Sequence, residues 1–258
     1  ISNITIMVDE QVTAFHSRPI FHSQYVCLFL DATYIPLRRD AVQKEAVHIA
    51  LGITSSGEKE ILDYLIAPQK SDAAWSDLLG SLVSRGLTDV QLIVADGMTA
   101  IQNACERNYP QAKFQRCLVH INRNIMGKVR VSDRKEVASD FKGIHHAINF
   151  KEGEEKIQTF IEKWEKRYPR MTHSLQNTEN LLTFTQFPKA IRGTIYSTNI
   201  IESFNKQLKR KTKIKEQFPN EEALDRFLVT QMVDYNNKKT GRAHKGFKQC
   251  QDTLDSMF

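Results

Sequence analysis

The chain has 258 residues, 41% of them hydrophobic and 26% charged, with 36 Lys+Arg against 30 Asp+Glu and a formal net charge of +6. That is ordinary for a soluble globular protein large enough to bury a full core, either as one large domain or as a domain with an insertion. The apolar runs, such as residues 25–30, are far too short to span a bilayer, and no signal-peptide pattern is present. Cys27, Cys105, Cys117 and Cys250 have no framework spacing, which fits a reducing cytoplasm or nucleoid. The basic balance leans towards nucleic acid, with a membrane surface as the other candidate. Opening at Ile1 rather than Met, the chain is expected to be a fragment or a trimmed protein.

Residues 1–20 show no clear period and read as an approach segment. Residues 25–30 (YVCLFL) form a fully apolar, β-rich run that ends on Asp31, and 46–54 (AVHIALGIT) form a second. Ser55-Ser56-Gly57 turns the chain into a third strand over 60–67, so the second and third make a hairpin, closed by Pro68. The spacing of Trp75, Leu78, Leu79 and Leu82 predicts a helix over 71–85, capped by Ser71 and ended by Gly86. A fourth strand over 91–95 ends on Asp96-Gly97, followed by a helix over 98–107 and a fifth strand over 113–117. Three meandering strands and then helix, strand, helix, strand specify a mixed α/β sheet. From Ile121 to about Ile195 the chain reads as charged helices, with Ile157, Phe160, Ile161, Trp164 and Tyr168 on one amphipathic stripe. A helix capped by Asn199 then carries Ile201, Phe204 and Leu208 on one face, and the tail after Thr240 reads as basic and mobile at its end.

Three carboxylates stand out. Asp31 and Asp96 each follow an apolar strand, and in α/β sheets sites are built at strand C-terminal ends. If those strands are neighbours, the two carboxylates face each other across one strand spacing, roughly 5 Å, and a divalent cation such as Mg²⁺ relieves their repulsion. Glu202 in the later helix would complete the group. Each has a plainer reading: Asp31 and Asp96 as strand-end turn residues, and Glu202 as a capping-box partner of Asn199 or an ion pair with Lys206. Behind Glu202 lie six basic residues, Lys206, Lys209, Arg210, Lys211, Lys213 and Lys215, as many as the whole chain's basic surplus. Lys206, Lys209, Arg210 and Lys213 share a helix flank suited to a phosphate backbone; the alternative is a solvated basic face. Arg116, Arg123 and Arg130 form a possible second basic surface. The Cys117-x-x-His120 doublet is not a zinc site on its own, because a structural site needs four ligands and no second doublet at zinc spacing is present; His145, His146 or His173 could contribute, but Cys117 reads as a core residue on the fifth strand.

The stretches FLDATY, LIVADGMTAIQNA, Cys117-Leu118-Val119-His120, FPKAIRGTIYSTNIIESFNKQLKRKTK and FPNEEAL, in that order, resemble the catalytic region of Mutator-type bacterial insertion-sequence transposases over about residues 20–235. The resemblance implies a DDE recombinase: a ribonuclease-H-like mixed sheet flanked by helices and interrupted by an all-helical insertion. The expected divisions are an approach segment at 1–20, the first part of the core at 21–125, the insertion at 126–195, and the returning Glu helix with a basic tail at 196–258. It further implies Asp31, Asp96 and Glu202 as the catalytic trio holding two Mg²⁺ or Mn²⁺ ions, with nicking and 3′-hydroxyl strand transfer on DNA. His120, Arg192 and Asn199 match family positions expected to line the site; Trp164 reads first as a core residue of its stripe, and the resemblance offers it as the candidate aromatic for stacking on a flipped base. A homodimer acting on two element ends, a nucleoid-associated location in the bacterial cytoplasm, no membrane contact, and end recognition by a region outside these residues complete the expectation. The competing readings are a ribonuclease-H-like nuclease without strand transfer and a non-catalytic, domesticated DNA-binding protein; the intact trio argues against the second.

Overall fold

The run that starts at Tyr25 does not stop at Asp31. In the computed structural model, which describes residues 3–68, 71–176 and 178–258, it belongs to a fifteen-residue strand, β1 (Gln24–Arg38). Beyond Asp31 the β-rich sequence Thr33-Tyr34-Ile35 alternates buried and exposed side chains, the period of a half-covered strand. Pro36 is tolerated because its carbonyl faces away from the neighbouring strand and accepts from Phe218 N at 3.1 Å. Strands β2 (Val42–Ile53) and β3 (Lys59–Ala67) continue antiparallel as the expected hairpin. On the other side of β1, β4 (Asp89–Ala95) and β5 (Lys113–Arg116) run parallel to it, giving a five-stranded mixed sheet in the order β3-β2-β1-β4-β5.

Helices cover both faces because strand side chains alternate. Leu28 and Leu30 join a cluster with Trp75, Leu78, Leu79 and Leu82 of α2 (Asp72–Ser84) and Ile101 of α3 (Thr99–Asn108). Ser71 caps α2 as expected, accepting from Ala74 N at 3.1 Å, and Gly86 follows its end with φ of 108°. Phe29, Ile49 and Leu51 join the larger cluster beneath the later helices. These are α4 (Leu118–Lys128), α5 (Arg134–Lys142), α6 (Phe150–Trp164), α7 (Pro169–Thr172), α8 (Glu179–Leu182), α9 (Lys189–Ile195), α10 (Asn199–Lys215) and α11 (Glu221–Lys239). Between β5 and α10 every described element is helical. The apolar face of α10 buries Ile201, Phe204 and Leu208 towards β1, with Phe204 also against Tyr235 of α11, about 1.5–3 kcal/mol for each side chain.

Several expectations give way to packing. Residues 3–17, expected to be an approach segment without a clear period, form a helix, α1 (Asn3–Ser17); Phe15 joins the core cluster and His16 packs on Asp63. Cys117 has left β5 and starts α4. Thr198, not Asn199, precedes the first turn of α10, and Asn199 is an exposed residue within it. The tail is ordered as α12 (Lys245–Gln249) and α13 (Gln251–Asp255), because Phe247 and Leu254 are wholly buried apolar anchors among the polar residues.

Candidate active site

The parallel register of β1 and β4 pairs Leu28 with Ile93 and Phe29 with Val94. Continued by two residues, it sets Asp31 level with Asp96, just past the last paired rung. Neighbouring strands lie about 4.8 Å apart, so the two positions share one edge of the sheet. Asp31 is thus mid-strand in β1 yet at the end of its parallel ladder. Asp96 does serve the turn, since its Oδ1 accepts from Met98 N at 3.0 Å. Gly97 makes the turn possible: its φ is 83°, and a Cβ there would come within 2.7 Å of Arg116 Nε.

Glu202 reaches the site from α10, only 7% exposed. It makes neither of its expected local contacts, because stronger partners come from α4. Arg123 donates to both carboxylate oxygens, Nη1 to Oε1 at 3.0 Å and Nη2 to Oε2 at 2.8 Å, and His120 Nε2 lies 3.4 Å from Oε1. Thr198 donates its hydroxyl to the same Oε1 at 3.3 Å. Burial works against ionisation of Glu202, but Arg123, His120 and Thr198 outweigh it and hold the carboxyl below its ordinary pKa.

The start of α4 explains how these partners arrive. Cys117, His120 and Arg123 are spaced i, i+3, i+6 on one helical face. Cys117 Sγ caps the helix, accepting from His120 N at 3.4 Å, and also accepts from Thr198 N at 3.3 Å, so it fastens the start of α4 to the start of α10. Burial pushes the Cys117 thiol up, but hydrogen bonds with His120 and Thr198 bring it below its ordinary value. The bond with Cys117 raises His120 against its burial, with the charges of Asp31 and Glu202 adding to it. Among the described residues, Cys117, His120 and Glu202 are the group of Cys, His and acidic side chains whose ligating atoms lie within 4.8 Å of one another. His145, His146 and His173 are not part of it.

Asp31, Glu202, His120, Arg123, Lys206 and Lys209 line one open cleft of about 350 Å³. Arg210 and Lys213 continue along the exposed side of α10. Other expected residues lie elsewhere. Arg192 donates to three carbonyl oxygens, of Phe187, Ile148 and Thr185, and acts as a clamp within the helical layer. Trp164 is 5% exposed, stacked near Tyr168, with Nε1 donating to Asp140 at 2.9 Å, so it packs as a core side chain. Of the three arginines expected on a second basic surface, Arg116 is half-buried beside Gly97, Arg123 is turned to Glu202, and Arg130 is exposed. Arg123 is the residue sequence reasoning misplaced; its i+3 step from His120 was the available signal. Asn205, three residues beyond Glu202, was not singled out at all, yet its Nδ2 donates to Asp31 Oδ2 at 2.8 Å.

Residues 1–240 match the family model described as "Transposase, Mutator family". The chain is 50% identical over 258 residues to the transposase for insertion sequence element IS905 of Lactococcus lactis, covering all of this chain and 66% of that protein. It is 45% identical over 236 residues to the transposase for IS1201 of Lactobacillus helveticus, covering 91% of this chain and 64% of the relative. With the transposase for IS256 in transposon Tn4001 of Staphylococcus aureus the identity is 26% over 242 residues, covering 92% of this chain and 62% of that one. The chain therefore spans about two thirds or less of the length of these relatives.

Proposed function

This chain belongs to the Mutator family of transposases, and from that premise we propose that it is the DDE catalytic region of an insertion-sequence transposase, cleaving DNA and joining it to a target. The observation that carries the reading is the β1–β4 register, which sets Asp31 level with Asp96 beside the cleft that Glu202 enters from α10. The strand order β3-β2-β1-β4-β5, with two antiparallel and two parallel pairings, supports a ribonuclease-H-like core. In that reading residues 21–125 form the first part of the core, 126–195 the helical insertion, and 196–258 return the Glu helix.

Three carboxylates make an all-oxygen donor set of the kind that Mg²⁺ and Mn²⁺ take, so the residues fit the two-ion chemistry of this reaction class. When bound, such ions would activate the attacking oxygen and stabilise the leaving one. The protein's part is position and charge. Asp31, Asp96 and Glu202 hold the ions; Lys206, Lys209, Arg210 and Lys213 hold the backbone phosphates that lead away from the cleft. Arg123 releases Glu202 and turns its fork to a phosphate, which guanidinium matches as well as a carboxylate. In each step an oxygen of water or of a DNA 3′-hydroxyl forms a bond to phosphorus, the P–O3′ bond breaks, and the departing oxygen takes up a proton. The partners in this reading are element ends and target DNA, with two copies of the chain acting on two ends inside the bacterial nucleoid.

Strand-cleavage and strand-transfer assays on the full-length transposase test this. Asp31→Asn, Asp96→Asn and Glu202→Gln each remove several kcal/mol of transition-state stabilisation, so each is expected to slow both steps by about a hundredfold or more. Nicks without joined product would instead indicate a nuclease. Unchanged DNA binding with no cleavage by the wild type would indicate a non-catalytic binder, the reading favoured by the Arg123–Glu202 pair if it never opens.

A further inference from the structure

Asn205 sits one turn along α10 from Glu202, on the same helical face, and is 5% exposed where it lines the cleft. Its amide is oriented by charge. Nδ2 donates to Asp31 Oδ2 at 2.8 Å, and turning the amide over would set its oxygen against the carboxylate. That fixed orientation leaves Oδ1 buried and without a hydrogen-bond partner among the described residues. Thr33, two residues beyond Asp31 and so on the same face of β1, repeats the pattern: it is 2% exposed, lines the same cleft, and its Oγ1 is buried without a hydrogen-bond partner among the described residues. Buried oxygens are normally satisfied, and two unsatisfied ones flanking one carboxylate mark a place built for something electropositive.

We infer that Asn205 is a fourth member of the ion-binding set: its NH₂ holds Asp31 in position and its amide oxygen is a ligand of the divalent ion that Asp31 binds. This rests on the proposed role of Asp31. The amide of Asn205 suits the task because it gives a hard ion an oxygen without a fourth negative charge, and one group both orients the carboxylate and completes the oxygen shell. Thr33 Oγ1 is left to a water of that shell.

Mn²⁺ titration calorimetry and melting curves on this 258-residue chain, wild type, Asp31→Asn, Asn205→Leu and Asn205→Asp, decide it. Asn205→Leu keeps the branched shape and heavy-atom count of the side chain and removes both polar amide atoms; its Mn²⁺ Kd is expected to rise at least tenfold. Asn205→Asp keeps an oxygen but sets two carboxylates together. Its metal-free Tm is expected to fall, and Mn²⁺ is expected to raise that Tm by more than it raises the wild type's. A purely structural Asn205 would lower Tm in both variants and leave the Mn²⁺ Kd unchanged, which overturns the inference while Asp31→Asn still abolishes binding. Should Asn205→Leu not fold, Asn205→Asp alone decides by the size of its Mn²⁺-dependent Tm rise. A wild type that binds no Mn²⁺, with or without a short DNA duplex present, removes the inference together with the reading it rests on.

Discussion

In the proposed reading Glu202 meets two opposed demands: a carboxylate buried to 7% exposure needs a counter-charge, and a carboxylate that binds metal beside DNA has to be able to change partners. Arg123 supplies the first without forbidding the second, since its own side chain is 51% exposed and can swing away. Arg123→Ala should therefore raise the Glu202 pKa above its present lowered value, because burial remains and its main opponent is gone. Carbon-13 NMR titration of Glu202 reads this directly. The lowered value also sets a sign for stability. Glu202's favourable contribution is present above the ordinary carboxyl pKa and is lost as pH falls through the folded value; in Arg123→Ala that acid-side loss should move to higher pH. Strand ends drew attention to Asp31 and Asp96, and the family resemblance joined Glu202 to them, so all three could be named from the sequence as candidates. Arg123 and Asn205 were not, because a guanidinium on α4 and an amide on α10 acquire meaning only when the sheet brings those helices together.

At the scale of elements, α10 divides its labour by face. Ile201, Phe204 and Leu208 anchor it, while Lys206, Lys209, Arg210 and Lys213 stand exposed. Replacing those four basic residues with Gln should weaken DNA binding and reduce the slope of log K against log salt by about 3–4 for duplex DNA, from roughly 0.9 per phosphate contact. Fluorescence anisotropy across a salt series measures it, and an unchanged slope would make the face merely solvated. The tail makes a second prediction. Phe247 is wholly buried, so Phe247→Ala should cost about 3–5 kcal/mol in urea unfolding, where a mobile tail would lose almost nothing. That tail escaped the sequence reading because two apolar anchors among basic and polar residues give no period. The cores of the first four strands and α2, by contrast, carried apolar runs or a clean stripe with a cap, and their positions could be read directly.

Across the whole molecule, the sheet has a site edge and a fastening edge. At the fastening edge His16 of α1 lies 2.7 Å from Asp63 of β3 and 3.7 Å from Asp225 of α11. Burial opposes its charge, but hydrogen bonds and charge from Asp225 and Asp63 win and raise its pKa from 6.5 to about 9. This stabilisation is complete below about pH 6.5 and is lost as pH rises through about 9. Because the ring is partly exposed, solvent screening limits it to about 1–2 kcal/mol. Urea unfolding should show His16→Gln less stable than wild type at pH 6, with the gap closing above pH 9. The order of strands was legible only as a meander followed by alternating helix and strand; that β1 sits between β2 and β4 follows from pairing, which no local pattern encodes.

The measurement that bears most directly on convergence of the three carboxylates is calorimetric titration of Mn²⁺ into the chain, with a short DNA duplex present, for wild type, Asp31→Asn, Asp96→Asn and Glu202→Gln. A single shared site predicts that wild type binds and that each substitution weakens binding at least tenfold. Equal Mn²⁺ binding by all four proteins, or none by any, would contradict it and leave Asp31, Asp96 and Glu202 as an amide-bonded strand residue, a turn and an ion pair.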